Sequence, residues 1–147
     1  ASIGWAQYEI KISFHVRLFS DAKHRAVDPN KFCNQAGPCA MKLLQSITQG
    51  RSAIVFIATD NFKICSCMPN WFKGKGLNNI TLTCAPDNDR FIQTSRGGSY
   101  NKLRMPMTDW YMLGEADYLI TRNPPSTFAM SASGRRPVQE LVPLMCM

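Results

Sequence analysis

Residues 53–58 read Ala-Ile-Val-Phe-Ile-Ala, an unbroken apolar run flanked by Arg51-Ser52 and by Thr59-Asp60-Asn61. A strand with one wet face alternates apolar and polar residues, because successive side chains point to opposite sides. An unbroken run puts apolar groups on both sides at once. It is also shorter than the roughly ten residues expected of a buried helix. Such a segment suits a strand covered on both faces, and that environment is typical of parallel sheets layered between helices.

The rest of the chain supplies the partners such a strand needs. Residues 8–17 alternate, with Ile10, Ile12, Phe14 and Val16 on one side, and read as a first strand. A polar stretch with a proline occupies residues 20–30. The spacing of Met41, Leu44 and Ile47 predicts a helix over residues 38–49, closed by Gly50. A short helix is expected from Asn61, then a loop over residues 69–76. Ile80 to Cys84 reads as a third strand, and residues 85–104 read mostly as loop. Thr108 is placed to cap a helix over residues 109–116, with Trp110 and Leu113 on one face. Tyr118 to Thr121 is a fourth strand. Pro124-Pro125 leads into a helix from Ser126 to about Gly134, and residues 137–147 form a tail or final strand. Alternating strands and helices predict an α/β, Rossmann-like fold, with a mainly parallel sheet and helices on both faces. The 147 residues suit a single domain, and no internal repeat divides them.

Composition narrows the partners. The net charge is +7 and the pI near 9.3, which favours anionic ligands such as nucleotide phosphates, nucleic acids or acidic glycans. No RNA-recognition or helix-turn-helix signature accompanies the charge, so nucleic acid is not expected as a partner. No apolar run approaches the roughly 20 residues of a membrane-spanning helix. The chain starts at Ala1 without a signal-peptide pattern, as expected of a processed product or part of a longer chain. Its cysteines are Cys33, Cys39, Cys65, Cys67, Cys84 and Cys146. Cys33 and Cys39 bracket a segment that a local disulfide would close, whereas Cys65 and Cys67 are too close to bond each other and must look elsewhere. Buried free thiols and a zinc site are the alternatives, the latter without paired C-x-x-C knuckles. Asn79-Ile80-Thr81 is a glycosylation sequon at the start of a strand, a fortuitous match being the alternative reading. Cysteines and sequon together lean to a secretory compartment.

In an open parallel sheet, ligands sit at the carboxyl ends of the strands, and that rule selects the candidate residues. The first strand ends in His15-Val16-Arg17, with His15 and Arg17 on one face. The Arg17 fork suits a diphosphate, and a neutral His15 imidazole suits a base. A strand-end arginine paired with a surface carboxylate is the plainer reading. Asp60, at the end of the second strand, would accept bonds from a sugar hydroxyl or cap the next helix. Asp109 opens a helix where the dipole favours a carboxylate. Ser126 and Thr127 open another, where free N–H groups suit a phosphate or where they serve as an ordinary cap. The dinucleotide glycine fingerprint, the P-loop and the serine-hydrolase elbow are all missing. Glu115 and Asp117 read as a helix-end surface rather than a glycosidase pair.

Phe14-His-Val-Arg17 followed by Asp21, Phe56-Ile-Ala-Thr-Asp60, the stretch from Asp109 to Tyr118 with its D-x-x-x-L-x-x-A-D spacing, and Ser126-Thr-Phe128 together resemble the core and peptide-O fucosyltransferases, in the same order. The resemblance implies the C-terminal, donor-binding half of a GT-B glycosyltransferase, with GDP-fucose as donor, inverting transfer and no required metal or other cofactor. It implies that His15 and Asp109 read guanine, that Arg17 holds the β-phosphate and stabilises its charge as the bond to fucose breaks, that Ser126 and Thr127 bind the diphosphate, and that Asp60 lies near the ribose or fucose. Asn61 stands where relatives often carry a second acid, and Pro124-Pro125 removes two N–H donors from the phosphate loop. The chain begins at the first strand of the donor half and names no catalytic base. An acceptor half for a glycan or glycoprotein would then come from elsewhere, including a separate chain. Expected surroundings are the Golgi or endoplasmic reticulum lumen, or the exterior. A non-catalytic assembly module with the same fold and a small secreted binding protein are the competing readings.

Overall fold

The computed structural model describes residues 5–17, 19–20, 25–26, 28–59, 61–84, 111–122, 130–132 and 139–144. Seven strands and two long helices organise them, after a short 3-10 turn at Trp5–Gln7. Strand β1 spans Ile10–Val16, and the two-residue strands β2 (Phe19–Ser20) and β3 (Arg25–Ala26) form a small antiparallel pair directly after it. Helix α1 spans Pro29–Thr48, β4 Ala53–Thr59, α2 Ile64–Phe72 and β5 Ile80–Cys84. A helical segment at 111–115 precedes β6, Tyr118–Arg122; residues 130–132 are helical, and β7 is Glu140–Leu144.

Strands β5-β4-β1-β6-β7 make one five-stranded sheet, and every pairing in it is parallel. The expected α/β, Rossmann-like architecture is the observed one. The apolar run sits where its composition demands: all seven residues of β4 are buried. Alternation in β1 sorts its side chains between two cores. Ile10, Ile12, Phe14 and Val16 join the larger core with Phe32, Ala36, Ala40 and Leu44 of α1 and with Ile64, Met68 and Phe72 of α2. The opposite face carries a smaller core of Phe56, Ala58, Leu113, Leu119 and Ala132. Helices thus cover both faces.

Helix α1 begins nine residues earlier than its sequence pattern predicts. Pro38 resembles a helix-opening proline, but Pro29 holds that position and Pro38 lies inside the helix. Pro38 and Asn34, the residue whose carbonyl loses its usual partner, are both exposed, on the face of the helix where such a loss costs least. Helix likewise replaces an expected loop at Pro69, which lies within α2 rather than opening a loop. Gly37 shows how the two helices meet. A Cβ there would stand 2.4 Å from Cδ2 of Trp71, so only glycine lets the Trp71 ring lie against α1. Lys75 Nζ covers that ring at 4.5 Å.

The cysteines staple the same face. Cys33 bonds Cys67, and Cys65 bonds Cys84, with Cα separations of 6.1 and 6.0 Å. Cys39 is disulfide-bonded as well, and no free thiol occurs among the described residues. A Cys33–Cys39 bridge is therefore ruled out. Six residues of helix rise about 9 Å, beyond the roughly 7 Å limit for a disulfide. Cys65 and Cys67 do pair elsewhere, as their spacing requires. Two residues apart on a helix, they point about 200° apart, so one reaches β5 and the other α1. These bonds also exclude the thiol and zinc alternatives for the four cysteines concerned. Asn79 of the sequon is engaged in the fold: its Nδ2 donates to the Arg51 carbonyl at 2.9 Å and to Thr48 Oγ1 at 3.4 Å. Among the described residues, no helix is long and apolar enough to cross a membrane.

Candidate functional site

From β1 the chain steps outward through β4 to β5, then returns to the other side of β1 for β6 and β7. The direction of winding reverses between β1 and β6. In open parallel sheets such a reversal point is where ligands bind, at the carboxyl ends of the two strands. His15 and Arg17 stand at that end of β1. Thr121 stands at that end of β6, directly beside His15 in the register.

His15 follows Ser13 on the smaller-core face, and its side chain is 8% exposed. Burial, and secondarily the nearby Arg17 guanidinium, lowers its pKa from 6.5 to about 4. The imidazole is neutral at pH 7, with one ring nitrogen donating and the other accepting. Arg17, just past the strand end, is half-buried, and its guanidinium supplies the positive charge of the pair. One strand end therefore offers a neutral donor–acceptor ring and a permanent positive charge two residues apart. That combination can recognise a heteroaromatic base and an anionic group in one ligand.

The neighbouring strand end is held by its own hydroxyl. Thr59 Oγ1 accepts from the Asn61 N–H at 3.1 Å and donates to the Asn61 carbonyl at 3.3 Å. Asn61 Oδ1 then accepts from the Lys63 N–H at 3.1 Å, leading the chain into α2. Asp60 lies outside the described residues, as do Asp109, Ser126 and Thr127. Of the six candidates, the structure brings together His15 and Arg17.

Other polar groups near this face serve the fold. Ser13 is fully buried and donates to the Met112 carbonyl at 3.0 Å, fixing the helical segment 111–115 against β1. Asp117 belongs to the acidic pair read as a helix-end surface. It lies at the opposite edge of the sheet, where its Oδ2 accepts from the Lys11 N–H at 3.0 Å and its own N–H donates to the Lys11 carbonyl at 2.8 Å. Its carboxylate is thereby committed to joining the starts of β1 and β6. Gln139 Nε2 donates to the carbonyls of Leu113 and Ala116 and closes the end of that same helical segment.

Thr121 is the site residue that the pattern along the chain does not single out. Its only signal there is a hydroxyl closing the apolar stretch Tyr118-Leu-Ile. Its significance lies in the β1–β6 register. Neither a protein-family model nor a curated protein sequence matches this chain.

Proposed function

We propose that the chain is the donor-binding half of a fucosyltransferase-like GT-B glycosyltransferase and takes GDP-fucose at the crevice between β1 and β6. The observation that carries this reading is the neutral His15 beside the cationic Arg17, at the strand end where the all-parallel sheet reverses its winding. A nucleoside diphosphate sugar presents a base and a charged diphosphate, the two features this pair can address. His15 hydrogen-bonds the guanine together with Asp109. Arg17 holds the β-phosphate and stabilises the charge that grows on it as the glycosidic bond breaks. Ser126 and Thr127 take the remaining phosphate oxygens, and Asp60 the ribose or fucose. The acceptor, a glycan or glycoprotein, is bound by a second α/β half. The disulfides support a secretory lumen or the exterior as the setting.

Calorimetric titration of the folded chain with GDP, GDP-fucose and ADP, without added metal, tests the reading. GDP and GDP-fucose bind and ADP does not. Arg17→Ala weakens GDP binding by about tenfold to a hundredfold, because a charge-assisted hydrogen bond contributes about 1.5–3 kcal/mol. Binding that ignores Arg17→Ala removes Arg17 from the site. A folded chain that binds none of the three is an assembly module instead.

A further inference from the structure

The described residues include four buried hydroxyl side chains, three in the sheet and Thr48 at the end of α1, and their partners differ. Ser13 donates to Met112, Thr48 accepts from Asn79, and Thr59 is bonded twice to Asn61. Thr121, 1% exposed, has no hydrogen-bond partner for its Oγ1 among the described residues. A valine would fill the same strand position without burying a polar atom, so the fold gains nothing from the hydroxyl. Nor is the position arbitrary. Register neighbours in a parallel sheet project from the same face, and one level of this sheet reads Ala58, His15, Thr121 across β4, β1 and β6. His15 and Thr121 therefore face each other across the point where the winding reverses. Ala58 on the far side of His15 is small and apolar and competes for no hydrogen bond.

We infer that Thr121 is a second ligand-contacting residue of the crevice, its hydroxyl hydrogen-bonding the nucleotide from β6 while His15 does so from β1. The inference rests on the donor-site reading above and adds to it a base-facing group on the second strand. A hydroxyl both donates and accepts, as does a neutral imidazole, so the two together suit a base edge that carries an N–H beside a carbonyl. Guanine has such an edge.

The test is calorimetric titration of the wild-type chain, Thr121→Val and Thr121→Ser with GDP, each variant's thermal midpoint being measured in parallel. Thr121→Val keeps the shape and loses the hydroxyl. It binds GDP about five- to tenfold more weakly, with a midpoint equal to or above that of the wild type. Thr121→Ser restores the hydroxyl and binds within about twofold of the wild type. Wild-type affinity in Thr121→Val overturns the inference and leaves the donor site standing. A lowered midpoint in Thr121→Val, with affinity unchanged after correction for the folded fraction, assigns the hydroxyl to the fold and likewise overturns it. A folded wild type that does not bind GDP overturns the donor-site reading and this inference together.

Discussion

The two faces of the central sheet are built on different terms. One face meets a twenty-residue helix and a second helix, packs Ile10, Ile12, Phe14 and Val16 into the larger core, and carries both stapling disulfides. The other meets short helical segments and a smaller core, and its share of β1 includes Ser13 and His15. The sides differ by one step of a period-two pattern in the same strand. Stability is concentrated on one face, which leaves the other able to hold a buried histidine and an unpartnered threonine hydroxyl that a purely structural strand would replace. Such polar groups are tolerated in a fold whose free energy comes mainly from elsewhere.

The most forceful way to break this division is to cut the staples. Replacing Cys33 and Cys67 by alanine, and separately Cys65 and Cys84, should each cost about 3–4 kcal/mol, because each bond closes a loop of tens of residues. In a domain of this size that lowers the thermal midpoint by roughly 10 °C, measurable by calorimetry. At temperatures where the variants stay folded, GDP affinity should hold. If affinity falls in step with stability, the two faces are not separable.

Acid probes the other face. The pKa of His15 is lowered in the folded chain, from 6.5 to about 4. As pH falls below 6.5 the unfolded chain takes up a proton that the folded chain still refuses. Stability should therefore decline across pH 6.5 to 4 by at most about 3 kcal/mol, then stop declining on this account. Denaturation curves of wild type and His15→Gln through that window check it. The variant should show a flatter dependence, and identical slopes would mean that His15 is not held neutral. The smallest expected effect returns to the helix-covered face. Gly37→Ala should raise helix propensity by about 1 kcal/mol yet force the Trp71 ring away, an overpacking cost of about 1–3 kcal/mol. A net loss of about 1 kcal/mol in urea denaturation would sharpen the picture of that face as tightly packed. A gain in stability would show the ring moving aside easily.

Much of the fold was legible in sequence because strands buried in parallel sheets leave a local mark: the unbroken run in β4 and the alternation in β1 needed no tertiary information. The helices were harder to bound. Proline opens helices, and Pro38 and Pro69 mimic boundaries because their conflict with the helix is relieved only by what lies around them. Disulfide pairing was not legible at all beyond the exclusion of Cys65 with Cys67, since it depends on which elements α2 lies between. His15 and Arg17 could be placed together by period two alone. Thr121 could not, because its neighbour is set by a register between strands far apart in the chain. Asp60, Asp109, Ser126 and Thr127 lie outside the described residues.

That distance has a consequence in time. The Lys11–Asp117 bond, which joins the starts of β1 and β6, spans 106 residues, whereas β1, α1, β4, α2 and β5 are complete by Cys84. A chain emerging from the ribosome N-terminus first can lay down three strands and their covering helices before β6 exists. Long-range parallel pairing is slow to form, because loop closure must be overcome before contacts reward it. The β1–β6 junction is consequently assembled only after the β5-β4-β1 part of the sheet. Until then, the β6-facing edge of β1 is an open template with His15 at its end, the moment in the life of this molecule when mispairing with another chain is easiest.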